Sequence, residues 1–95
     1  MARVIWSIRA QRDLAKIDDY YHERNPDVAV QIGLAAIGAA QFLLSNPLAG
    51  PLVERTKFHK WIVRATPYIV FYRPDGSDIR IVRVRHMAED WKPAE

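Results

Sequence analysis

Five basic side chains in the second half of the sequence have the types that an RNA-cleaving or phosphate-binding site needs. They stand on two strand-like runs and are Lys60, Arg64, Arg83, Arg85 and His86. Cleavage of RNA without a metal ion takes a base for the 2′-hydroxyl, cations for the phosphorane and an acid for the leaving group. Histidine is the residue type among these that exchanges protons readily near neutral pH. The five are therefore the catalytic candidates of a metal-free nuclease, with His86 as its proton shuttle.

Alternation along a strand limits which of these side chains can act together. Because successive side chains point to opposite faces of a sheet, Lys60 and Arg64 are predicted to share one face of their strand. Arg83 and Arg85 share a face of the later strand, and His86 is predicted to point away from them. A solvated sheet face is the alternative explanation of the same cations.

Other chemistries lack their residues in this sequence. There is no cysteine, so a disulfide framework, a thiolate metal site and a cysteine nucleophile are excluded. No glycine-rich phosphate loop, Ser-His-Asp arrangement or HExxH motif occurs. Asp18 and His22 are four residues apart on a predicted helix, but two ligands do not make a metal site. We therefore expect neither a metal nor a cofactor.

Charge is unevenly distributed along the chain. Residues 55–86 hold eight basic side chains against Asp75 and Asp78, whereas residues 1–54 hold five basic and six acidic ones. A strongly basic segment favours a phosphate-rich or acidic partner. The sequence is otherwise that of an ordinary globular protein, 49% hydrophobic and 26% charged, and its length fits one domain over residues 1–95.

Two helices are predicted after a short first strand, Arg3–Ile8. The first helix carries a row of apolar residues at helical spacing: Ala10, Leu14, Ile17 and Tyr21. Asn25 and Pro26 suit the cap and first position of a second helix that ends near Ser45. Helices joined so closely form an antiparallel hairpin.

Three strands are predicted in the remaining sequence: Phe58–Arg64, Tyr68–Arg73 and Asp78–His86. A turn at residues 74–77 joins the last two. The order β-α-α-β-β-β predicts an α+β fold, in which the helical hairpin packs on a small, mainly antiparallel sheet.

The second helix raises a question of its own, because no charged residue occurs between Asp27 and Glu54. Its apolar run, Val28–Leu44, is shorter than the roughly 20 strongly apolar residues that a membrane span needs, so we expect no membrane contact. A two-layer domain buries only one side of a helix, and the rest is predicted to be an exposed apolar patch. Such patches mark partner-binding sites.

Four segments together resemble the ParE/RelE superfamily of toxins from bacterial toxin–antitoxin modules, and they read WSIRAQRDLAKIDDYYHERNPDVA, NPLAG, KWIVRATPYIVFYR and IRIVRVRHMAEDW. The resemblance implies a cytoplasmic toxin with the β-α-α-β-β-β fold. It also implies a cognate antitoxin whose C-terminal segment wraps the helical hairpin and the sheet edge. The residues expected to contact the antitoxin are Leu14, Ile17, Tyr21, Ile32, Ala36, Ile37 and Ala40.

The superfamily divides by target, and the strand residues favour one branch. RelE-like toxins cut mRNA on the ribosome, with a K-x-K pair and then an arginine in a Y-R-L-x-Y pattern. Here Lys60 matches the first lysine, but Ile62 stands at the second lysine and Ile69 at the arginine. The C-terminal catalytic tyrosine of those toxins has no match, and Trp91 is the nearest aromatic residue.

The ParE-like branch, which binds and blocks DNA gyrase, is therefore favoured, and on that branch the chain is not an enzyme. The expected target-binding residues are Lys60, Arg64, Arg83, Arg85 and Trp91. Three alternatives remain open. They are a RelE-like nuclease that uses Arg64, Arg85 and His86, a non-toxic binding module on the same fold, and a nucleic-acid-binding accessory.

Overall fold

The described part of the chain, residues 1–89 of the computed structural model, folds in the predicted element order. The elements are β1 (Val4–Trp6), α1 (Ile8–Arg24), α2 (Pro26–Ser45), β2 (His59–Ile62), β3 (Tyr68–Asp75) and β4 (Asp78–His86). The predicted α+β class and the β-α-α-β-β-β order are confirmed. Trp91, a predicted target-binding residue, lies outside the described residues.

The four strands form one mixed sheet in the order β1-β4-β3-β2. The β2, β3 and β4 strands make an antiparallel meander. The β1 strand pairs in parallel with β4, with Ile5 opposite Arg80, and the helical hairpin, β2 and β3 lie between these two strands in the chain. Both helices contact β4, which is central in the sheet, and they also pack against each other. The candidate residues on β4, which are Arg83, Arg85 and His86, therefore lie on the strand that both helices contact.

Capping residues set the helix ends. The Ser7 hydroxyl accepts a hydrogen bond from the backbone N–H of Ala10, so α1 begins at Ile8. The predicted first strand was too long at this end, because Ser7 stops it at Trp6. Asn25 caps α2 as predicted, with its side-chain oxygen accepting from Val28 N–H at 3.4 Å and Pro26 following at the first helical position.

The main core lies between the helices and the sheet. Its fully buried members include Leu43 of α2, Tyr72 of β3 and Ile81 of β4. A second, smaller cluster on the other side of the sheet joins Ile69 and Phe71 of β3 to Val53 in the α2–β2 loop. The loop therefore covers part of the sheet face that the helices leave open.

A network around Tyr72 anchors the α2–β2 loop against β2 and β3. The Tyr72 hydroxyl donates to the Pro47 carbonyl and accepts from the Gly50 N–H, each at 2.9 Å. The His59 ring stacks on Tyr72, and its Nδ1 lies 2.7 Å from the Gly50 carbonyl oxygen. Gly50 packs so closely against the backbone of β2 that a Cβ atom there would overlap the Lys60 carbonyl oxygen. Only glycine fits at this position without displacing β2.

By length and composition alone, α2 could cross a membrane, since its 20 residues contain an 18-residue window of mean hydropathy 1.8. The segment expected to be too short and too polar for a span thus meets a test of length and composition, which core helices of soluble proteins also meet. Its packing provides another reason for the composition. Ala29, Ile32, Ala36 and Leu43 of this helix are buried in the protein core.

Candidate functional site

The five basic candidates do not form one cluster. Arg83, Arg85 and His86 line one pocket of about 230 Å³ together with Asp13 and Lys16 of α1 and Tyr68 and Glu89. We call this the α1–β4 pocket. Over these residues the pairing with β3 is regular, with Arg83 opposite Phe71, Arg85 opposite Ile69 and His86 opposite Tyr68, so the strand keeps the predicted alternation. The three side chains nevertheless reach one pocket at the end of β4. The irregularity in the pairing lies before them, between Ile81 and Arg83.

Asp13 holds Arg83 in the α1–β4 pocket. Arg83 Nε donates to Asp13 Oδ2 at 2.8 Å, and Arg83 Nη2 donates to Asp13 Oδ1 at 3.1 Å. The same Oδ2 accepts from the backbone N–H of Val84 at 2.9 Å. This hydrogen-bonded carboxylate raises the pKa of Arg83 above its ordinary value, although burial acts in the opposite direction. Asp13 therefore fixes both the guanidinium and the strand that carries it.

Arg85 also pairs with a carboxylate of its own chain. Its Nε donates to Glu89 Oε2 at 2.7 Å, and Glu89 N–H donates to the His86 carbonyl at 3.0 Å, which closes the turn after β4. His86 Nδ1 accepts from Ala88 N–H at 3.0 Å, so the neutral ring carries its proton on Nε2. Of the Lys and Arg side chains that the structure places in this pocket, Arg83 and Arg85 are thus paired with carboxylates of the same chain, and Lys16 is the third cation.

Tyr68 forms an aromatic wall of the same pocket. Its ring meets His86 edge-to-face at 5.3 Å, and its hydroxyl lies 3.4 Å from that of Tyr21. Burial is the largest cause that raises the pKa of Tyr68 above its ordinary value, and the hydrogen bond with Tyr21 adds to it. The phenol stays protonated near neutral pH and cannot serve there as a general base.

Lys60 lies elsewhere, in a pocket of about 360 Å³ beside β2. The other lining residues of this β2 pocket are Pro51, Trp61, Ile62 and Ile69. Ile62 and Ile69 are the residues that stand where RelE-like toxins are expected to carry cations. The surroundings of Lys60 are thus largely apolar.

Arg64 is separated from Lys60 as well. The β2 strand ends at Ile62, two residues earlier than predicted, and the following turn includes Ala65 at a φ of 62°. Arg64 therefore lies beside the helical hairpin, where it lines a third pocket with Tyr21, Gln31 and Pro67. The predicted shared face of Lys60 and Arg64 is not formed.

An apolar surface runs along the outer side of α2. Val30, Leu34 and Ile37 follow one another at helical spacing and are 59%, 64% and 52% exposed. We call these three the α2 outer stripe. This exposure agrees with the patch predicted from the uncharged segment.

The expected antitoxin contacts need correction at three positions. Ile32, Ala36 and Ala40 are at most 7% exposed because they face the core, so they are not accessible to a partner in this conformation. Leu14, Ile17 and Tyr21 are half-buried against the same core and offer only part of their surface. Ile37 is the one member of that predicted set that is largely exposed.

Asp13 and Glu89 are site residues that the sequence analysis missed. Asp13 follows Ala10 by three residues and precedes Leu14, which puts it at the flank of the buried helix face. That spacing was a usable signal. Glu89 had none, because its pairing with Arg85 depends on the turn after β4. Within residues 1–89, no three histidine, aspartate or glutamate side chains group closely enough to hold a metal ion.

Comparison with known proteins places this architecture in a family. The model of the ParE toxin of type II toxin–antitoxin systems, parDE, matches residues 4–91. Toxin RelE2 of Caulobacter vibrioides is 35% identical over 88 residues, which are 93% of this chain and 98% of that protein.

Solved structures share the fold over most of the chain. The chromosomal ParDE toxin–antitoxin system of P. aeruginosa matches with a TM-score of 0.77 at 24% identity, over 90% of this chain and 96% of the matched one. The RelBE2 toxin–antitoxin complex of Mycobacterium tuberculosis matches with a TM-score of 0.58 at 26% identity, over 88% and 95%. This chain belongs to the ParE toxin family of type II toxin–antitoxin systems, within the ParE/RelE superfamily.

Proposed function

We propose that this toxin acts in the cytoplasm by binding DNA gyrase, and not by cutting mRNA. One observation carries the proposal. Where RelE-like toxins are expected to carry cations, this chain has Ile62 and Ile69, and both line the apolar β2 pocket. Aliphatic side chains cannot stabilise the negative charge that develops on a phosphorane, which is the main task of such a site. An apolar pocket with Lys60 at its edge is better suited to contact with a protein surface.

The α1–β4 pocket supports the same proposal. Arg83 and Arg85 already donate to Asp13 and Glu89, so their charges are partly neutralised before any phosphate arrives. The described lining of the pocket keeps one positive charge in excess, which can balance a single carboxylate but gives little stabilisation to the additional negative charge of a phosphorane. Paired arginines are, in contrast, common at protein interfaces, where their planar donors fix orientation.

We also propose that a cognate antitoxin neutralises the toxin by covering the α2 outer stripe. Three large apolar side chains exposed on one helix face are costly in water and suit the apolar side of a partner segment. The structurally similar ParDE and RelBE2 proteins are described as a toxin–antitoxin system and a toxin–antitoxin complex, respectively. The half-buried Leu14, Ile17 and Tyr21 of α1 are the further antitoxin contacts that we propose.

A ribosome-dependent mRNA endonuclease is the second candidate. It is favoured by the likeness to toxin RelE2, and by the grouping of Arg83, Arg85 and His86 in one pocket. In that case His86 would be the proton shuttle and the two arginines would bind the scissile phosphate.

The direct test is a DNA supercoiling reaction with purified gyrase, titrated with the purified toxin. The matched control adds the toxin already mixed with its antitoxin. We expect inhibition by the toxin alone and full activity when the antitoxin is present. Normal supercoiling at toxin concentrations that arrest growth in cells would refute gyrase as the target.

A further inference from the structure

The ion pair between Asp13 and Arg83 is bidentate and largely buried, unlike most surface ion pairs. Two N–H···O bonds join the two side chains, one to each carboxylate oxygen, and the side chains of Arg83 and Asp13 are only 25% and 13% exposed. Exposed ion pairs contribute little to stability, whereas a bidentate pair with few alternative conformations defines the direction of the guanidinium plane. The arrangement thus fixes the orientation of Arg83 and not only its charge.

Asp13 occupies only some of the N–H donors of Arg83, so the others can bind a partner. An arginine side chain has five N–H donors, and Asp13 accepts from Nε and from one Nη2 hydrogen. The remaining donors belong to a side chain that lines the α1–β4 pocket. Because Oδ2 of Asp13 also binds the Val84 N–H, the carboxylate is itself held by the strand and cannot swing away with the arginine.

The pocket has the size and charge for one acidic side chain. Its volume of about 230 Å³ is below the roughly 300–1,000 Å³ of sites that hold whole small molecules. Among residues 1–89, its charged lining consists of Lys16, Arg83 and Arg85 against Asp13 and Glu89, which leaves one positive charge in excess when His86 is neutral. A single carboxylate would balance that excess.

We propose that Asp13 is a positioning residue for target recognition, and that the guanidinium it orients binds one carboxylate side chain of the protein target in the α1–β4 pocket. The inference rests on the proposed function, because it takes the target to be a protein. It assigns a role to a residue of α1 that does not itself touch the target. Lys16, one turn further along the same helix, supplies the second positive group of the pocket.

The test compares Asp13→Asn with Asp19→Asn. Both remove one negative charge from α1, but Asp19 is an exposed residue on that helix. We expect Asp13→Asn to raise the toxin concentration for half-inhibition of gyrase by at least about tenfold, the loss typical of one charged interface contact. Asp19→Asn should inhibit like the wild type. Arg83→Lys, which keeps the charge but not the fork of donors, should lose as much as Asp13→Asn.

A double-mutant cycle separates positioning from simple stabilisation. Asp13→Asn and Arg83→Gln should each lower the melting temperature. In the inhibition assay, run well below both melting temperatures, the double variant should be no weaker than Arg83→Gln alone, since an absent guanidinium cannot be misdirected. Additive losses of inhibition, or wild-type inhibition by Asp13→Asn, would overturn the proposal.

Growth arrest in cells, measured with the same variants at equal toxin levels, keeps this inference distinct from the choice of target. If gyrase is unaffected by the wild type but Asp13→Asn still abolishes growth arrest, gyrase is refuted and the positioning role stands. If Asp13→Asn weakens mRNA cleavage by the toxin on ribosomes, a phosphate replaces the proposed carboxylate and that part is refuted. Equal growth arrest by Asp13→Asn and the wild type would refute the role of Asp13.

Discussion

At the scale of single residues, two carboxylates change what the arginines of β4 can do. The basic candidates were visible in the sequence, but Asp13 and Glu89, which pair with Arg83 and Arg85, were not recognised as their partners. Charge is a property of composition, whereas pairing depends on which elements meet. Residue types alone therefore predicted a phosphate site, and the contacts argue for a site that recognises a protein.

The close packing at Gly50, which has no Cβ atom, gives a prediction about the stability of the fold. We expect Gly50→Ala to lower the free energy of unfolding by about 1–3 kcal/mol or more, because its methyl group would overlap the Lys60 carbonyl. The control is Gly33→Ala in α2, where an added Cβ meets nothing within 4 Å. That change should stabilise the protein by up to about 1 kcal/mol through helix propensity. Urea unfolding measures both, and equal effects of the two substitutions would contradict this account of the loop.

Stability at alkaline pH follows from two buried tyrosines. Burial is the main cause that raises the pKa of Tyr68 and of Tyr72. Above about pH 10, tyrosines of the unfolded chain ionise while these two stay protonated in the fold, so rising pH favours unfolding. Below that pH both states hold the proton and the effect vanishes.

We therefore expect the urea midpoint to fall between about pH 10 and pH 11.5, and to fall less steeply in Tyr68→Phe. A series of urea titrations across this range measures the slope. Identical slopes for the wild type and Tyr68→Phe would mean that the phenol is not held neutral by the fold.

At the scale of elements, the helices were more predictable than the strands. Asn25 and Pro26 defined the α1–α2 junction through cap chemistry that acts within a few residues, so the sequence alone was sufficient. Strand ends depend on partners that are distant in sequence. The β2 strand stops at Ile62, two residues earlier than predicted, so Arg64 was assigned to the wrong neighbours. Alternation along β4 placed His86 opposite the two arginines but did not predict that all three side chains line one pocket.

The two sides of α2 give a prediction that separates binding from folding. Ile37 is 52% exposed, whereas Ile32 is 7% exposed against the core. We expect Ile37→Gln to weaken antitoxin binding by about tenfold with little change in melting temperature. Ile32→Ala should instead cost about 2–4 kcal/mol of stability through the cavity it leaves. Calorimetric titration with the antitoxin and thermal unfolding measure the two effects, and unchanged binding by Ile37→Gln would refute the α2 outer stripe as the contact.

At the scale of the whole molecule, the exposed apolar surface predicts poor behaviour without a partner. Besides the α2 outer stripe, Leu48, Leu52 and Ile62 are all more than half exposed on a chain of 95 residues. We expect the isolated toxin to aggregate at concentrations of about 100 µM, and co-expression with its antitoxin to raise the soluble yield sharply. Light scattering with and without the antitoxin measures this, and a stable monomer without it would contradict the prediction.

The central claim is that this toxin binds a protein target and does not cut RNA. The most direct measurement places one preparation of toxin in two reactions at matched concentrations, supercoiling by purified gyrase and translation of a defined mRNA by ribosomes, each with and without the antitoxin. The account predicts loss of supercoiling, restored by the antitoxin, with the mRNA intact. Cleavage of the mRNA with unimpaired supercoiling would contradict it, and would make Arg83, Arg85 and His86 the first residues to test as a nuclease site.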